Sequence, residues 1–181
     1  RDTGEIQHRH FPHIATLLRE GDVLVRNNSK VIRARLRGVN ASSSGRFELL
    51  LVEEMAPNDW WAMVKPGRRA RPGTEIVLTD HAGACTRIIA RVTETNEEGH
   101  RRLQFHGTRN ILRDLPHLGE VPLPPYIQRP SDRQDVSRYQ TVFARAPGSV
   151  AAPTAGLHFT PELLNDLRQR GVRIVDITLH V

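Results

Sequence analysis

The sequence predicts a mixed α+β and α/β architecture: a discontinuous α/β domain formed by the two ends of the chain, with a small antiparallel β domain inserted between them. Three observations predict it. Helix-then-strand signals occur at both ends, over residues 11–26 and 160–181. Between them, strand signals follow one another with turn residues in the gaps and no helical period, the pattern of a small antiparallel barrel or sandwich. The prolines at 122, 124 and 125 then force an extended return, because they suit neither a helix nor an interior strand. The expected boundaries are 1–31 with 116–181 for the α/β domain and 32–115 for the insert.

Taken in order, residues 11–19 read as a short amphipathic helix with Ile14, Leu17 and Leu18 on one face and Gly21 closing it. Residues 22–26 are a brief strand, and Asn27, Asn28 and Ser29 a polar turn. From Val31 to Gly38 strict alternation turns Ile32, Ala34 and Leu36 inward and lines up Arg33, Arg35 and Arg37 opposite. Three guanidiniums on one strand face repel one another unless solvent or phosphate lies against them. A turn over residues 40–45 leads to strands at 47–54, 60–64, 74–79, 85–95 and 102–105. Of the neighbours Trp60 and Trp61, one faces the core; the other is free to stack on a base or to pack between domains.

A helix is expected over residues 108–115, the extended stretch over 119–126, and a polar helical or turn segment over 131–137. Thr160, Pro161 and Glu162 form a helix start, with a capping hydroxyl, a ring preorganised for the first helical position and a charge that answers the dipole. Leu163, Leu164 and Leu167 make that helix's apolar stripe and Gly171 stops it, before a strand over 172–181. Thr178 and His180 would then share one strand face and address one ligand together. The stretch 152–160 fits neither period, and a loop feeding a helix start can hold an anion or polar ligand, or be a tight buried connection.

The chain is 181 residues with a net charge of +6, which favours a polyanionic partner, RNA or DNA, over arginines merely spent on solvated faces. The loop carrying Lys65, Arg68, Arg69 and Arg71, stiffened by Pro66 and Pro72, is the densest positive patch and a candidate for backbone phosphates. Cys85 is the sole cysteine, which excludes an internal disulfide and a thiolate metal cluster and fits a reducing cytosol. No apolar run approaches the ~18 residues that span a bilayer, so no membrane role is expected. No phosphate-binding loop, dinucleotide fingerprint, nucleophile elbow or paired-His metal helix is present. The ends, Arg1 and a strand running to Val181, suggest part of a longer protein.

Four blocks in order resemble the S-adenosylmethionine:tRNA ribosyltransferase-isomerase family of queuosine biosynthesis: residues 21–38 (GDVLVRNNSKVIRARLRG), 119–127 (GEVPLPPYI), 138–144 (RYQTVFA) and 151–160 (AAPTAGLHFT), continued by 178–181 (TLHV). The resemblance implies an α/β domain with an inserted β-barrel. It also implies an enzyme that transfers the ribosyl unit of S-adenosylmethionine, its co-substrate, onto 7-aminomethyl-7-deazaguanine in tRNA. Isomerisation gives epoxyqueuosine, and adenine and methionine leave. No permanently bound cofactor and no metal are implied. Proton removal next to the sulfonium needs a base and a dry pocket.

Carried onto this chain, the match covers Asn27, Asn28, Arg35, Arg138 to Thr141, Pro153, Thr154, Gly156, His158, Thr178 and His180 without assigning their roles; by residue type we expect His158, His180 and Thr178 to be catalytic, with His158 or His180 handling the proton. Substrate binding is expected at Asn27, Asn28, Arg35, Arg138, Tyr139, Gln140, Thr141, Pro153, Thr154, Ala155 and Gly156, while charge, and not the match, points to Arg33, Lys65, Arg68, Arg69 and Arg71 for tRNA. Arg33 stands where the family usually has proline, and family chains begin before Arg1 and continue past Val181. The competing expectation is a non-catalytic RNA-binding module built on the β domain and its basic loops.

Overall fold

The structure, a computed structural model, describes residue 4 and residues 6–124 and 126–180. The expectations for Arg1, Pro125 and Val181 lie outside the described residues. Phe11–Thr16 forms a 3-10 helix rather than the longer α-helix expected. Its chain turns off where the Ile14 carbonyl accepts both the Leu17 and Leu18 amides. Ile14, Ala15 and Leu18 still face a core, but Leu17 is 63% exposed, because the helix ends before it. Strand β1 (Val23–Asn27) follows, and β2 (Ser29–Val31) begins after Asn28 alone, where a three-residue turn was expected.

The expected strand from Val31 to Gly38 is broken at residues 32–34, and β3 spans Arg35–Asn40. With β4 (Arg46–Ala56), β5 (Asp59–Lys65), β6 (Glu75–Thr79), β7 (Cys85–Thr95) and β8 (Arg101–His106) it closes a six-stranded antiparallel barrel in the order β3-β4-β5-β8-β7-β6. Period-two alternation fills its interior with Leu36, Leu49, Leu51, Trp60, Ile76, Leu78, Val92 and Leu103, all fully buried or nearly so. Closure removes the sheet edges that an open β insert would leave. Gly38 lies on β3 where it meets β6: a Cβ there would come within 2.6 Å of the Val77 carbonyl oxygen. Trp60 is buried in the barrel and its neighbour Trp61, half-buried, lines a cleft of about 430 Å³ with Glu53, Glu97 and Glu98.

Helix α1 (Ile111–Leu118) lies three residues later than expected. The shift follows from capping: the Asn110 side chain accepts the Leu112 amide, while Asn58 Oδ1 accepts the Ile111 amide. Pro116 is carried inside the last turn, and its carbonyl receives the Arg33 guanidinium at 2.5 Å. The chain enters the barrel past Arg33 and leaves it at Gly119, and the two runs touch. Arg35 and Glu120 form an isolated β-bridge, and a Cβ on Gly119 would sit 2.0 Å from the Arg33 carbonyl oxygen.

Beyond the extended stretch, α2 (Asp135–Arg138) is a single turn. The four-residue strand β9 (Ala146–Ser149) was not expected, since Pro147 and Gly148 argue against a strand; it pairs in parallel with β2 at an irregular register. Helix α3 (Pro161–Gln169) begins as the sequence requires, with the Leu163 amide donating to Thr160 Oγ1 at 3.2 Å. Strand β10 (Arg173–Ile177) pairs in parallel with β1 and stops before residues 178–180, which are not strand. Phe143, Phe159, Leu164, Leu167 and Val172 form the core beneath β1 and β10.

Gly119→Ala is expected to lower stability by roughly 1–3 kcal/mol, since a backbone carbonyl cannot retreat as a side chain can. Urea unfolding measures it, and an unchanged midpoint would show that the entry and exit runs are not held together.

Candidate functional site

Asn27 and Asn28 stand at the C-terminal end of β1, and both side chains are spent on other parts of the chain. Asn27 Nδ2 donates to the Leu179 carbonyl at 2.9 Å, and its Oδ1 accepts the Leu179 and Ser29 amides, each at 3.0 Å. Thr178 Oγ1 donates to Asn28 Oδ1 at 2.7 Å. The Asn28 amide donates to the Ile177 carbonyl, and its own carbonyl accepts the Arg145 and Ala146 amides. Three segments far apart in sequence therefore meet at Asn28. His180 completes this corner: its ring lies over Gly148, where a Cβ would come within 3.0–3.2 Å of three ring atoms. Thr178 and His180 thus reach one corner through the asparagine clamp, and not through the shared strand face expected from the sequence.

Gln140 works on the neighbouring strand. The Val31 amide donates to Gln140 Oε1 at 3.0 Å and Gln140 Nε2 donates to the Val31 carbonyl at 2.7 Å, so one side-chain amide stands in for a paired strand on β2. Thr141 is buried, with its Cγ2 against Gly156 and its Oγ1 without a partner among the described residues. Tyr139 is buried and Arg138 exposed. This block is anchored by Asp135, which receives two hydrogen bonds from Arg129, at 2.6 and 2.7 Å, and the Asp132 amide at 2.8 Å. The Arg129 guanidinium and then that amide hold the Asp135 carboxyl down, to about 2 against an ordinary value of 3.8.

The stretch ahead of α3 is a 3-10 turn, Thr154–His158, closed by the Gly156 amide on the Pro153 carbonyl at 2.7 Å. Gly156 is its buried point: a Cβ would lie 2.8 Å from Thr141 and 2.9 Å from Phe143. Thr154, Ala155 and His158 face solvent, and the His158 ring stacks on Phe11 at 5.1 Å. The start of α3 already carries the Thr160 cap and Glu162, whose carboxyl is held below its usual range by its own backbone amide and then by the Thr160 hydroxyl. No recorded contact among the described residues joins His158 to Thr178 or His180.

Three residues that the sequence did not single out hold the corner from behind. Arg26 Nε donates to Asp176 Oδ1 at 2.5 Å across the in-register pair of β1 and β10, and holds the Asp176 carboxyl below its usual range. The Arg26 guanidinium lies 4.2 Å over the Phe143 ring, and its Nη1 is buried without a partner among the described residues. Arg26 and Asp176 are 150 residues apart, so only the parallel pairing of two strands reveals them.

The arginines of the barrel fall into two groups. Arg33 donates to Pro116, Arg35 pairs with Glu48 at 2.9 Å, and Arg37 grips Glu120 through two bonds at 3.0 and 3.1 Å, which raises its pKa. The expected repulsion along that face is thus met by protein acceptors, which leaves Arg33 and Arg35 committed inside the chain. Lys65, Arg68, Arg69 and Arg71 are exposed and have no ion-pair partner among the described residues. Their loop is fixed from below by Arg101, which donates to the carbonyls of Ala70 at 2.6 Å, Gly67 at 2.7 Å and Gly99. Two clefts, of about 520 and 430 Å³, lie on the barrel and include none of the site residues expected from sequence. Among the described residues, no group of three or more His, Cys, Asp or Glu is arranged to hold a metal ion, and no helix is long and apolar enough to cross a membrane.

Because the Asp135 carboxyl is depressed, its contribution to stability is present above the ordinary value of 3.8 and is lost as pH falls toward about 2. Urea unfolding at pH 5 and at pH 2.5 should show Asp135→Asn less stable than the parent at pH 5, with most of that gap closed at pH 2.5. An equal gap at both values would contradict the ion pair.

The model of one family, described as queuosine biosynthesis protein, matches residues 1–181. A curated S-adenosylmethionine:tRNA ribosyltransferase-isomerase from Caldanaerobacter subterraneus is 46% identical over 181 residues, 100% of this chain and 51% of that protein. One from Heliobacterium modesticaldum is 42% identical over the same span, again 51% of its length. A solved S-adenosylmethionine tRNA ribosyltransferase from Thermotoga maritima is 31% identical and aligns with all of this chain and 48% of its own, at a TM-score of 0.37. The chain thus spans about half the length of the curated relatives it matches.

Proposed function

The chain belongs to the queuosine biosynthesis protein family, and from that premise we propose that it carries part of an S-adenosylmethionine:tRNA ribosyltransferase-isomerase. The reaction proposed moves the ribosyl unit of S-adenosylmethionine onto the aminomethyl nitrogen of 7-aminomethyl-7-deazaguanine in tRNA. The unit is isomerised to an epoxycyclopentane, giving epoxyqueuosine, with adenine and methionine released. The observation that carries this reading is the corner at Asn28, where Asn27 bonds the Leu179 backbone, Asn28 takes the Thr178 hydroxyl and the His180 ring packs over Gly148, joining segments some 150 residues apart.

In this reading His180, held against Gly148, or His158, exposed beside the Thr154–His158 turn, takes the proton next to the sulfonium. Gln140, Tyr139 and Thr141 shape the wall behind, and Pro153, Thr154, Ala155 and Gly156 supply backbone for the polar end of the substrate. Arg138, exposed at the end of α2, is the cation left for a carboxylate or phosphate. Residues 1–31 with 116–181 act as the catalytic α/β domain and 32–115 as the insert that meets tRNA, a division supported by the contact between the entry and exit runs at Arg33 and Gly119. The substrate tRNA and the exposed free thiol of Cys85 both suit the cytoplasm.

One observation favours a second reading, a non-catalytic RNA-binding module: the basic loop of Lys65, Arg68, Arg69 and Arg71 is built and braced within the barrel alone. Activity separates the two. Given radiolabelled S-adenosylmethionine and tRNA bearing the deazaguanine, the complete polypeptide of this reading frame is expected to release adenine and label the tRNA. Asn28→Ala should lower kcat/KM about 100-fold through misplacement of the corner. Neither adenine nor labelled tRNA would leave the binding module. For the loop, Arg68→Ala with Arg69→Ala should weaken tRNA binding and reduce its salt dependence by close to one unit of slope per arginine; a response as steep as the parent's would remove the loop from the interface.

A further inference from the structure

The cleft of about 520 Å³ lies where β7, the end of β8 and α1 meet, and none of the residues assigned above lines it. Arg87, Arg109 and Arg113 line it, with His117 one turn beyond Arg113 on α1. All four are exposed. None of the three arginines has a carboxylate within ion-pair distance among the described residues. The one carboxylate in the lining, Asp114, accepts the Thr108 hydroxyl at 2.5 Å. This contrasts with Arg33, Arg35, Arg37 and Arg102 on the same barrel, each of which has found an acceptor in the chain. The floor is rigid: Gly107, at φ +81°, comes so close that a Cβ would lie 2.3 Å from the Arg87 carbonyl oxygen.

Three unpaired guanidiniums converging on one concave site repel one another without an anion between them, and their forked donors match a group with several oxygens. We propose that this cleft takes a backbone phosphate of the tRNA, as a second anchoring point separate from the loop of Lys65 to Arg71. The inference rests on the tRNA substrate proposed above. Strand β8 separates the two sites: Arg101 at its start braces the loop and Gly107 follows its end, a run of roughly 17 Å at ~3.4 Å per residue. That exceeds the ~8 Å screening length at physiological salt, so the two sites should act independently along the RNA.

The complete polypeptide of this reading frame and fluorescently labelled tRNA test this, by anisotropy over a salt series. Arg109→Ala with Arg113→Ala should weaken binding about tenfold or more at low salt and reduce the slope of log K against log salt by about 0.9, the share of one phosphate. Added to Arg68→Ala with Arg69→Ala, the effects should sum at physiological salt. Arg109→Lys with Arg113→Lys should keep the slope. Arg91→Ala, an exposed barrel arginine outside the cleft, reports the effect of losing charge anywhere. Cleft variants no weaker than Arg91→Ala, in a parent that binds tRNA with a steep salt response, would overturn this inference alone. A parent that does not bind tRNA would overturn the proposed function along with it. Competition by inorganic phosphate as effective as competition by unlabelled tRNA would overturn the assignment to RNA backbone and leave a free-phosphate site.

Discussion

The backbone of Asn28 is claimed from both sides. Its amide is given to Ile177, its carbonyl takes the amides of Arg145 and Ala146, and its side chain takes the Thr178 hydroxyl. Each bond is worth only about 1 kcal/mol net, and an unmet partner in this half-buried place would cost as much again or more. Their value lies in convergence. With β1 pairing β10 on one side of Asn28 and β2 pairing β9 on the other, the residue is where two small parallel ladders become one structure. Ladders of five and three or four residues do not hold alone, and side-chain amides from Asn27 and Gln140 supply the pairing that strand length does not.

Close backbone approach is the second constraint on the site. Gly148 admits the His180 ring, Gly156 admits Thr141 and Phe143, and Gly119 lets the chain return past Arg33. At each, a methyl group would meet atoms at 3.2 Å or less. The site is therefore fixed by where the backbone passes, with few long side chains reaching across it. Charge is organised on the same principle of local satisfaction. Arg26, Arg35, Arg37, Arg102 and Arg129 find carboxylates within the chain, and part of the surplus that makes the chain basic is left on the barrel loop, the cleft by α1 and exposed Arg138.

Much of the fold was legible because its signals are local. The alternation of Ile32, Ala34 and Leu36 holds even where the strand itself breaks, since burial is set by which way each Cβ points. Thr160-Pro161-Glu162 starts α3 where its three residues say it should. Elements governed by competition between local signals were not legible. Asn58 and Asn110 move α1 along the chain, and β9 forms across Pro147 and Gly148 because β2 offers it a partner. The site was legible only as a set of residue types. Asn27, Asn28 and Thr178 meet through bonds spanning some 150 positions and His180 through packing on Gly148, Arg26 and Asp176 give no signal in sequence, and the unpaired arginines of the cleft differ from the paired ones only in what folds beside them.

The claim that everything else rests on is that Asn28 joins segments 145–149 and 177–180 into one corner, independent of the barrel. Amide hydrogen exchange on the Asn28→Pro chain, which lacks both the amide given to Ile177 and the side chain that takes the Thr178 hydroxyl, tests it most directly. Protection should fall together in both segments while residues 35–106 of the barrel exchange as in the parent. Loss confined to residue 28 and its immediate neighbours, with 145–149 and 177–180 still protected, would contradict it.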